Sequence, residues 1–337
     1  MIGRADARMP RVGVTGLGLF VPERVLTNHD LEKMVDTSDE WIFERTGIRE
    51  RHIAEPGQAA SDVAVPAARE ALERAGVRPE EVDLVIVATA SPDMLFPASA
   101  SLVADQIGAV NAAAYDLLAG CTGFVYALAQ AYGVVSGGLA RRALVVGSEA
   151  LSKLTNWNDR GTCVLFGDGA GAALLERVEE GGFLGFELGS DGSGGPDLCV
   201  PAGGSRAPAS ADTVEQELHY LHMNGREVFK FATRAMVTSA ERLLEECELT
   251  VEDVDLYVPH QANRRIIDHA VRHLHLPPEK VRINVDRYGN TSSASIPIAL
   301  YEAMTDGALV DGATVLMTAV GAGLSWGSAL LIWGDGK

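Results

Sequence analysis

The chain repeats its own pattern about 170 residues later, and this repeat constrains the fold more than any other feature. Residues 70–83 read EALERAGVRPEEVD, and residues 242–255 read RLLEECELTVEDVD. Both segments predict an amphipathic helix, a short turn and the start of an apolar strand. Two further pairs repeat in the same order: 126–146 with 296–316, and 166–176 with 325–335. Three matches in one order indicate an internal duplication of α/β units.

The repeat predicts the architecture. Short apolar strands that alternate with helices indicate mixed, mostly parallel sheets covered by helices on both faces. We expect two βαβαβ-type halves, residues 1–180 and 181–337, whose equivalent loops lie around a pseudo-twofold axis. Residues 190–216 are rich in Gly, Ser, Pro and Ala. Because their Cys-Val-Pro centre is apolar, we expect a long surface loop rather than a flexible linker.

Composition excludes several classes of protein. The 337 residues are 47% hydrophobic and 22% charged, which is enough to bury a large core. A formal net charge of −18 argues against binding to nucleic acid, which needs a basic surface. No apolar run is long enough to span a membrane, and the first residues lack the apolar stretch of a signal peptide. We therefore expect a cytoplasmic protein.

Two motifs suggest ligands but are incomplete. The segment VGVTGLGLFVP at 12–22 carries Gly16 and Gly18 but lacks the third glycine of a dinucleotide-binding turn. His269 and His273 are four residues apart on a predicted helix, a spacing that can bind a metal. No nearby cysteine or carboxylate completes the set, so an exposed helix face is the better interpretation. We expect no metal site.

Cys121 lies in DLLAGCTGFVYALAQA, at the start of a run that is apolar nearly all round. Such a helix is buried, and its N-terminus favours an anion, which would lower the pKa of a thiol. Cys121 is therefore a candidate nucleophile. The other cysteines form no CxxC pair and are interpreted as small buried hydrophobic residues: Cys163, Cys199 and Cys247.

Partners for this thiol are expected in the second half. His260 ends the strand in LYVPHQANRRII, at the edge where α/β folds bind ligands, although a capping or core histidine is the plain alternative. Asn290 lies in YGNTSSASIP, in a turn where asparagine is common. The repeat aligns Asn290 and Thr291 with Gly120 and Cys121. The glycine-rich segment AVGAGLSWG (319–327) could aim a backbone N–H at an oxyanion.

These segments resemble a known family. GCTGFVYAL, PHQANRRII, GNTSSASIP and a late WGSAL, with TSDEWIFERTGIRERH (37–52) and DRGTCVLFGDGAGAALL (159–175), are similar to the thiolase-fold condensing enzymes, and most of all to the β-ketoacyl-acyl-carrier-protein synthase III family. The resemblance covers nearly the whole chain. It implies a thiolase-like α/β/α/β/α layered fold and a homodimer. Thiolases would carry a second catalytic cysteine near the C-terminus, and elongating ketosynthases a second histidine in place of Asn290.

The resemblance implies an acyltransferase that begins fatty-acid synthesis. Cys121 takes the acyl group of an acyl-CoA, and malonyl-acyl-carrier protein then loses carbon dioxide and attacks it. His260 and Asn290 stabilise the enolate, and the N–H groups of Cys121 and of Ala322 or Gly323 form an oxyanion hole. Both thioesters are substrates, so no cofactor is implied. The alternatives are a related ketosynthase or acyltransferase of secondary metabolism and a non-catalytic partner subunit.

The resemblance also assigns substrate contacts. Trp41 and Arg160 match residues that sandwich the CoA adenine, and Arg45 matches a phosphate contact. Asn263 and Phe229 match residues beside the pantetheine tunnel.

Three positions concern the acyl pocket. Phe96 matches a side chain that closes the acyl pocket of the neighbouring subunit. Two residues depart from the family: Val320 replaces an aromatic side chain, and Ala322 replaces a glycine. Both departures affect the wall near Cys121, so the primer preference stays open.

Charge indicates where a carrier protein would dock. Residues 261–282 carry a net charge of +3 in a chain of net charge −18. Because carrier proteins are acidic, we expect this segment to hold the docking surface, with a solvated helix face as the alternative. The predicted docking residues are Arg264, Arg265 and Arg272.

Overall fold

The computed structural model describes residues 3–5 and 9–334. The outermost residues of the two predicted halves, 1–2 and 335–337, lie outside the described part. The strands are β1 Val12–Phe20, β2 Val25–Thr27, β3 Glu50–His52, β4 Leu84–Ala88, β5 Ala113–Leu117, β6 Arg142–Glu149, β7 Gly169–Arg177, β8 Gly182–Ser190, β9 Leu198–Cys199, β10 His222–Met223, β11 Leu256–Pro259, β12 Thr314–Gly321 and β13 Ser325–Ile332. The α-helices are α1 Asn28–Leu31, α2 Asp39–Thr46, α3 Ala60–Ala75, α4 Ser99–Ile107, α5 Gly123–Ser136, α6 Ala211–Glu215, α7 Gly225–Glu246, α8 Arg264–His273, α9 Val285–Tyr288 and α10 Ser295–Thr305.

Two sheets repeat one topology. The first has the order β1-β7-β6-β4-β5, and the second, taken in the same sense, has the order β8-β13-β12-β11. In the first sheet only β7 runs against the other strands, and in the second only β13 does. The prediction of mixed sheets whose strands mostly share one direction is confirmed.

Helices and sheets form five layers. α5 and α10 lie between the two sheets, where Phe124, Leu128 and Leu300 are each 1% exposed and pack against strands of both. α3 and α4 cover the outer face of the first sheet, and α7 covers the outer face of the second beside α8. The layered α/β/α/β/α arrangement expected from the sequence is therefore present.

The glycines of the 12–22 segment serve packing. Gly16 and Gly18 lie in β1, which pairs with β7 rather than leading into a helix. A Cβ atom on Gly18 would lie 2.0 Å from the carbonyl oxygen of Ala67, so only glycine lets α3 approach the strand this closely. This close approach accounts for the glycines without a nucleotide.

The repeat is shifted by two residues from its sequence alignment beside the candidate nucleophile. A short 3₁₀ turn precedes each central helix, at Gly120–Thr122 before α5 and at Ser292–Ala294 before α10. The counterpart of Cys121 is therefore Ser293, and the alignment of Cys121 with Thr291 was wrong. α5 has 14 residues and α10 has 11, so no single offset aligns both ends of these helices.

No helix within residues 3–5 and 9–334 has the length and the apolar character needed to cross a membrane.

Two of the remaining cysteines are buried as predicted, Cys163 and Cys247. Cys199 is only half-buried, because it lies in the short β9 strand of the surface loop.

Candidate active site

Cys121 occupies the turn that leads into the buried helix α5. This turn packs tightly against the glycine-rich loop that joins β12 to β13. A Cβ atom on Gly321 would lie 2.6 Å from the backbone nitrogen of Cys121. A Cβ atom on Gly120, which has φ +52°, would lie 2.9 Å from the backbone nitrogen of Ala322. Glycine at both positions allows the close approach of the two backbones.

His260 and Asn290 open into the same cavity as Cys121, a space of about 150 Å³. His260 follows β11 directly, is 1% exposed, and donates its backbone N–H to Thr318 at 2.7 Å. The side-chain oxygen of Asn290 accepts the backbone N–H of Ser292 at 2.9 Å, which leaves the amide nitrogen to face the cavity. The structure thus brings together the three residues that the sequence nominated.

Burial controls the protonation of the thiol. It raises the pKa of Cys121 to about 12, although a hydrogen bond from the Ser292 hydroxyl acts in the opposite direction, and the nearby Glu149 carboxylate raises it further. The expectation that the helix N-terminus would lower this pKa is therefore wrong for the free protein. Loss of solvation on burial disfavours the thiolate, so the direction of the shift is opposite to the one expected from the helix N-terminus.

Burial also keeps His260 neutral. It lowers the pKa of His260 to about 3, so the ring carries a single proton at physiological pH. A neutral imidazole donates a hydrogen bond from one nitrogen and accepts one at the other. His260 can therefore act as a neutral hydrogen-bond donor to a carbonyl oxygen without transferring a proton to Cys121.

Glu149 is a buried carboxylate behind the site that the sequence analysis missed. It accepts hydrogen bonds from the Ser91 hydroxyl at 2.6 Å, from the Ser293 hydroxyl at 2.8 Å and from the Ala90 N–H at 3.1 Å. Burial raises the pKa of Glu149, and these hydrogen bonds oppose the rise. No local pattern marks Glu149, because its partners are distant in sequence.

Cys121 and Ala322 both line the cavity and could provide backbone N–H groups to an oxyanion. In the described part of the chain neither the Cys121 N–H nor the Ala322 N–H donates to a backbone carbonyl of another residue. Ala322 is not among the residues with positive φ, so it places its N–H without backbone strain. Gly323, the other predicted donor, has φ +148°. It lines a neighbouring surface cleft with Ala322 rather than the cavity itself.

The cavity wall is largely apolar. It includes the predicted residues Phe229, Val320 and Asn263. The surface loop 190–216 contributes Leu198 to it, which the sequence analysis did not anticipate. Other wall residues that it missed share an aliphatic or aromatic side chain: Leu151, Leu165, Phe166, Leu221, Met223 and Val228. Such residues are indistinguishable from core residues in a sequence.

Trp41 is flanked by two guanidinium groups. The Cζ atoms of Arg45 and Arg160 each lie 4.9 Å from the centre of the Trp41 ring. If an adenine stacked between them, the Trp41 ring and the Arg160 guanidinium would be roughly 7 Å apart, because each stacking contact spans about 3.5 Å. One of the two side chains therefore has to move before a base can enter. Arg160 Nη1 donates to the carbonyl of Asp36 at 2.8 Å, and this bond favours the arrangement in which Arg160 contacts the Trp41 ring directly.

Asn263 caps helix α8 and ties it to α2. Its side-chain oxygen accepts the backbone N–H of Arg265 at 2.8 Å, and its amide donates to the carbonyl of Arg45 at 3.0 Å. Asn263 therefore fixes the start of the basic helix beside the cavity mouth.

The basic residues of α8 differ in their surroundings. Arg265 is exposed, and its guanidinium lies 5.5 Å from the ring centre of Phe229 in the cavity wall. Arg264 pairs with Asp268 at 2.7 Å, whereas Arg272 is exposed near the end of the helix. Arg282, in the same basic segment, is bound by Glu302 and Asp306 and adds little free positive charge.

The helix that holds His269 and His273 offers no metal site. Their rings stack with centres 3.8 Å apart, and His273 Nδ1 lies 2.8 Å from the carbonyl oxygen of His269. Across the described ranges, no group of three or more His, Cys, Asp or Glu side chains could hold a metal ion.

Phe96 is not part of this cavity. It is 83% exposed, in the loop between β4 and α4. Leu95 and Leu118 are 78% and 76% exposed, so several large apolar side chains lie on this surface.

The duplicated five-layer fold, with Cys121, His260 and Asn290 on three loops around one largely apolar cavity, defines a thiolase-fold condensing enzyme. The family models "3-Oxoacyl-[acyl-carrier-protein (ACP)] synthase III" and its C-terminal counterpart match residues 115–192 and 244–333. The chain belongs to the β-ketoacyl-[acyl-carrier-protein] synthase III family. It is an acyltransferase of the condensing class and acts at the start of fatty-acid synthesis.

Individual proteins agree with the family models. The β-ketoacyl-[acyl-carrier-protein] synthase III of Symbiobacterium thermophilum is 60% identical over 324 residues, which cover 96% of this chain and 98% of the relative. The solved structure of that enzyme from Thermus thermophilus has a TM-score of 0.89 and 52% identity, and the match covers 96% of this chain and 99% of the other. The priming β-ketosynthase of the R1128 polyketide biosynthetic pathway also has a TM-score of 0.89, at 38% identity, with 97% and 98% covered.

Proposed function

We propose that Cys121 accepts the acyl group of an acyl-CoA. The sulfur attacks the thioester carbonyl, the bond from that carbon to the CoA sulfur breaks, and the proton of Cys121 ends on the departing CoA thiol. The observation that carries the proposal is the convergence of Cys121, His260 and Asn290 in one largely apolar cavity. The N–H groups of Cys121 and Ala322 would stabilise the oxyanion, where one such donor contributes about 10²–10³ in rate.

Malonyl-acyl-carrier protein then binds to the acylated enzyme. His260 and the Asn290 amide donate hydrogen bonds to its thioester carbonyl as carbon dioxide departs. The resulting enolate carbon attacks the acyl-cysteine, which releases a β-ketoacyl product and returns the electron pair to the Cys121 sulfur. A proton from solvent then restores the Cys121 thiol. A neutral His260 suits this step, because a hydrogen-bond donor rather than a proton donor is required.

The resemblance to the family and the contacts among these residues support the substrate contacts. Trp41 and Arg160 would hold the adenine after they separate, and Arg45 would contact a phosphate. Phe229 and Asn263 line the cavity where a pantetheine arm would reach Cys121. Arg265 and Arg272, with Arg264, offer an acidic carrier protein a basic face beside the cavity mouth.

A homodimer would explain the exposed apolar surface. Strand β5 is at the edge of its sheet, with Leu118 directly after it and Leu95 and Phe96 in the loop between β4 and α4. An exposed edge strand and exposed aromatic and aliphatic side chains favour pairing with a second copy. In that dimer Phe96 would reach the acyl pocket of the partner subunit.

The four free cysteines support a reducing location, the cytoplasm.

The test uses the intact enzyme and both half-reactions. The protein is incubated with acyl-CoAs of different length, and the mass of the Cys121 peptide is measured before and after addition of malonyl-acyl-carrier protein. We expect an acyl-cysteine that disappears as a β-ketoacyl product forms, and no acylation of Cys121→Ala. Absence of an acyl-cysteine contradicts the mechanism.

The second candidate is priming in secondary metabolism, which the similarity to the R1128 ketosynthase favours. Acylation without condensation on a fatty-acid carrier protein, but with condensation on a polyketide carrier protein, would support that candidate. Acylation without any condensation would support transfer of the acyl group to a hydroxyl or an amine. The presence of Cys121, His260 and Asn290 argues against a non-catalytic partner subunit.

A further inference from the structure

Ser295 lies behind the catalytic histidine, on the side away from the cavity. It is the first residue of α10 and is 2% exposed. Its hydroxyl oxygen lies 2.6 Å from Nδ1 of His260 and accepts the backbone N–H of Gln261 at 3.3 Å. Ser295 thus contacts Nδ1 of His260, which leaves Nε2 as the ring nitrogen available to a substrate.

The Ser295 contact determines where the proton of the ring lies. A neutral imidazole carries one N–H, and a serine hydroxyl has one hydrogen and two lone pairs. The Gln261 N–H occupies one lone pair of Ser295. Within residues 3–5 and 9–334, the hydroxyl hydrogen of Ser295 has no acceptor other than Nδ1 of His260.

The alternative arrangement leaves a buried donor without a partner. If Nδ1 of His260 carried the proton, it would donate to Ser295, and the Ser295 hydrogen would point at no acceptor. An unsatisfied buried donor costs about 1–3 kcal/mol. The hydroxyl of Ser295 therefore donates to Nδ1, and the proton of His260 lies on Nε2.

The neighbouring backbone holds Ser295 and His260 in this arrangement. The side chain of Gln261 accepts the backbone N–H groups of Asn284 and Val285 at 2.9 and 3.2 Å and donates to the carbonyl of Pro259 at 2.8 Å. Its own backbone N–H, which donates to Ser295, is therefore fixed. The histidine ring cannot turn without breaking this network.

We propose that Ser295 is a positioning residue that keeps His260 in the tautomer with a proton on Nε2, ready to donate to the malonyl thioester carbonyl. The inference rests on the role of His260 proposed above. It assigns to Ser295 an effect on decarboxylation and not on acylation of Cys121, because only the second half-reaction needs this hydrogen bond.

The first measurement concerns the tautomer and needs no activity. The ¹⁵N chemical shifts of His260 in histidine-labelled protein, assigned by comparison with His260→Gln, distinguish a protonated ring nitrogen from an unprotonated one. We expect an unprotonated Nδ1 and a protonated Nε2 in the wild-type enzyme. A protonated Nδ1 would overturn the proposal whatever the kinetics.

The second measurement separates the half-reactions. For Ser295→Ala we expect decarboxylation of malonyl-acyl-carrier protein to fall about 10- to 100-fold in kcat, with KM and the rate of Cys121 acylation within about twofold of wild type. Ser295→Thr keeps the hydroxyl and should restore most of the rate. The matched control is Ser148→Ala, which also removes a buried serine hydroxyl. The Ser148 hydroxyl donates to the backbone carbonyl of Ala60 at 2.7 Å.

Each outcome bears on the proposal. Equal loss of acylation and decarboxylation in Ser295→Ala, or an equal loss in Ser148→Ala, would show a general structural role and overturn it. If Ser295→Thr does not fold, the tautomer of the wild-type enzyme still decides. Failure of the wild-type enzyme to decarboxylate malonyl-acyl-carrier protein, with the expected tautomer present, would instead refute the proposed function.

Discussion

The carboxylate of Glu149 accepts a hydrogen bond of 2.8 Å from the hydroxyl of Ser293, and this bond joins the two halves of the chain beneath the active site. Glu149 ends β6 of the first half, and Ser293 lies in the 3₁₀ turn of the second half that corresponds to the turn of Cys121. A buried carboxylate at the end of β6 thus connects the turn that follows Asn290 to Ala90 and Ser91, which follow β4.

Glu149→Gln should weaken this connection. The variant replaces one acceptor oxygen with an amide that faces the donors Ser91, Ser293 and the Ala90 N–H. We expect a loss of about 1–3 kcal/mol in the free energy of unfolding, measured in urea, because a buried donor loses its acceptor. Condensation should fall more than acylation, because the displaced turn carries Asn290. Glu245→Gln, on an exposed position of α7, is the control and should change neither quantity.

The reactivity of Cys121 should rise continuously with pH. Because burial raises the pKa of the thiol to about 12, the thiolate fraction of the free enzyme grows about tenfold for each pH unit below that value. We expect the rate of alkylation of Cys121 by iodoacetamide, followed by peptide mass spectrometry, to increase from pH 6 to pH 10 without a plateau. A plateau below pH 9 would mean that the helix N-terminus outweighs burial.

Gly321→Ala should disable the site with little change elsewhere. Its Cβ atom would lie 2.6 Å from the backbone nitrogen of Cys121, so the turn of the nucleophile and its N–H must move. Since a displacement of about 1 Å can cost a factor of about 10² in rate, we expect acylation and condensation to fall together by roughly that factor. Gly57→Ala is the matched control, because a Cβ atom there meets nothing within 4 Å. Full activity of Gly321→Ala would contradict the role of the tight contact.

Features of the fold and the site can be predicted from the sequence when the residues that form them are close together along the chain. The repeat of helix, turn and strand predicted both sheets and the central helices, because periodicity is a local signal. Cys121, His260 and Asn290 were nominated because each follows a strand or begins a helix in a repeated unit. The two-residue error at Thr291 arose because sequence alignment averages over helices of unequal length.

The remaining features depend on contacts that no local pattern records. In the sequence, nothing distinguishes Glu149 from other polar residues at the end of an apolar strand. Leu198 and Leu221 likewise look like ordinary hydrophobic residues. The pKa of Cys121 was predicted with the wrong sign because the sequence indicates the helix dipole but not the degree of burial. The closed stack of Trp41 on Arg160 was likewise visible only in three dimensions.

Trp41→Ala should impair only nucleotide-bearing substrates. An aromatic–guanidinium contact contributes about 0.5–2 kcal/mol, so we expect KM for acyl-CoA to rise about tenfold. The rate with an acyl-N-acetylcysteamine thioester, which lacks the adenine, should not change. Phe43→Ala is the matched control, because Phe43 lies on the same helix as Trp41 and also contacts a guanidinium group. The Cζ atom of Arg49 lies 3.8 Å from the centre of the Phe43 ring. A similar loss with both thioesters would mean that Trp41 supports the fold rather than the adenine.

Arg265→Glu should impair use of the carrier protein and spare acyl-CoA loading. Arg265 is exposed beside Phe229 at the cavity mouth, so charge reversal there would repel an acidic partner. We expect KM for malonyl-acyl-carrier protein to rise about tenfold at low salt, with a smaller difference at high salt because ions screen the charges. Arg177→Glu makes the same change of charge at the exposed end of β7 and should leave both half-reactions intact. Equal loss of acylation and condensation in Arg265→Glu would refute the docking role, because acyl-CoA loading requires no carrier protein.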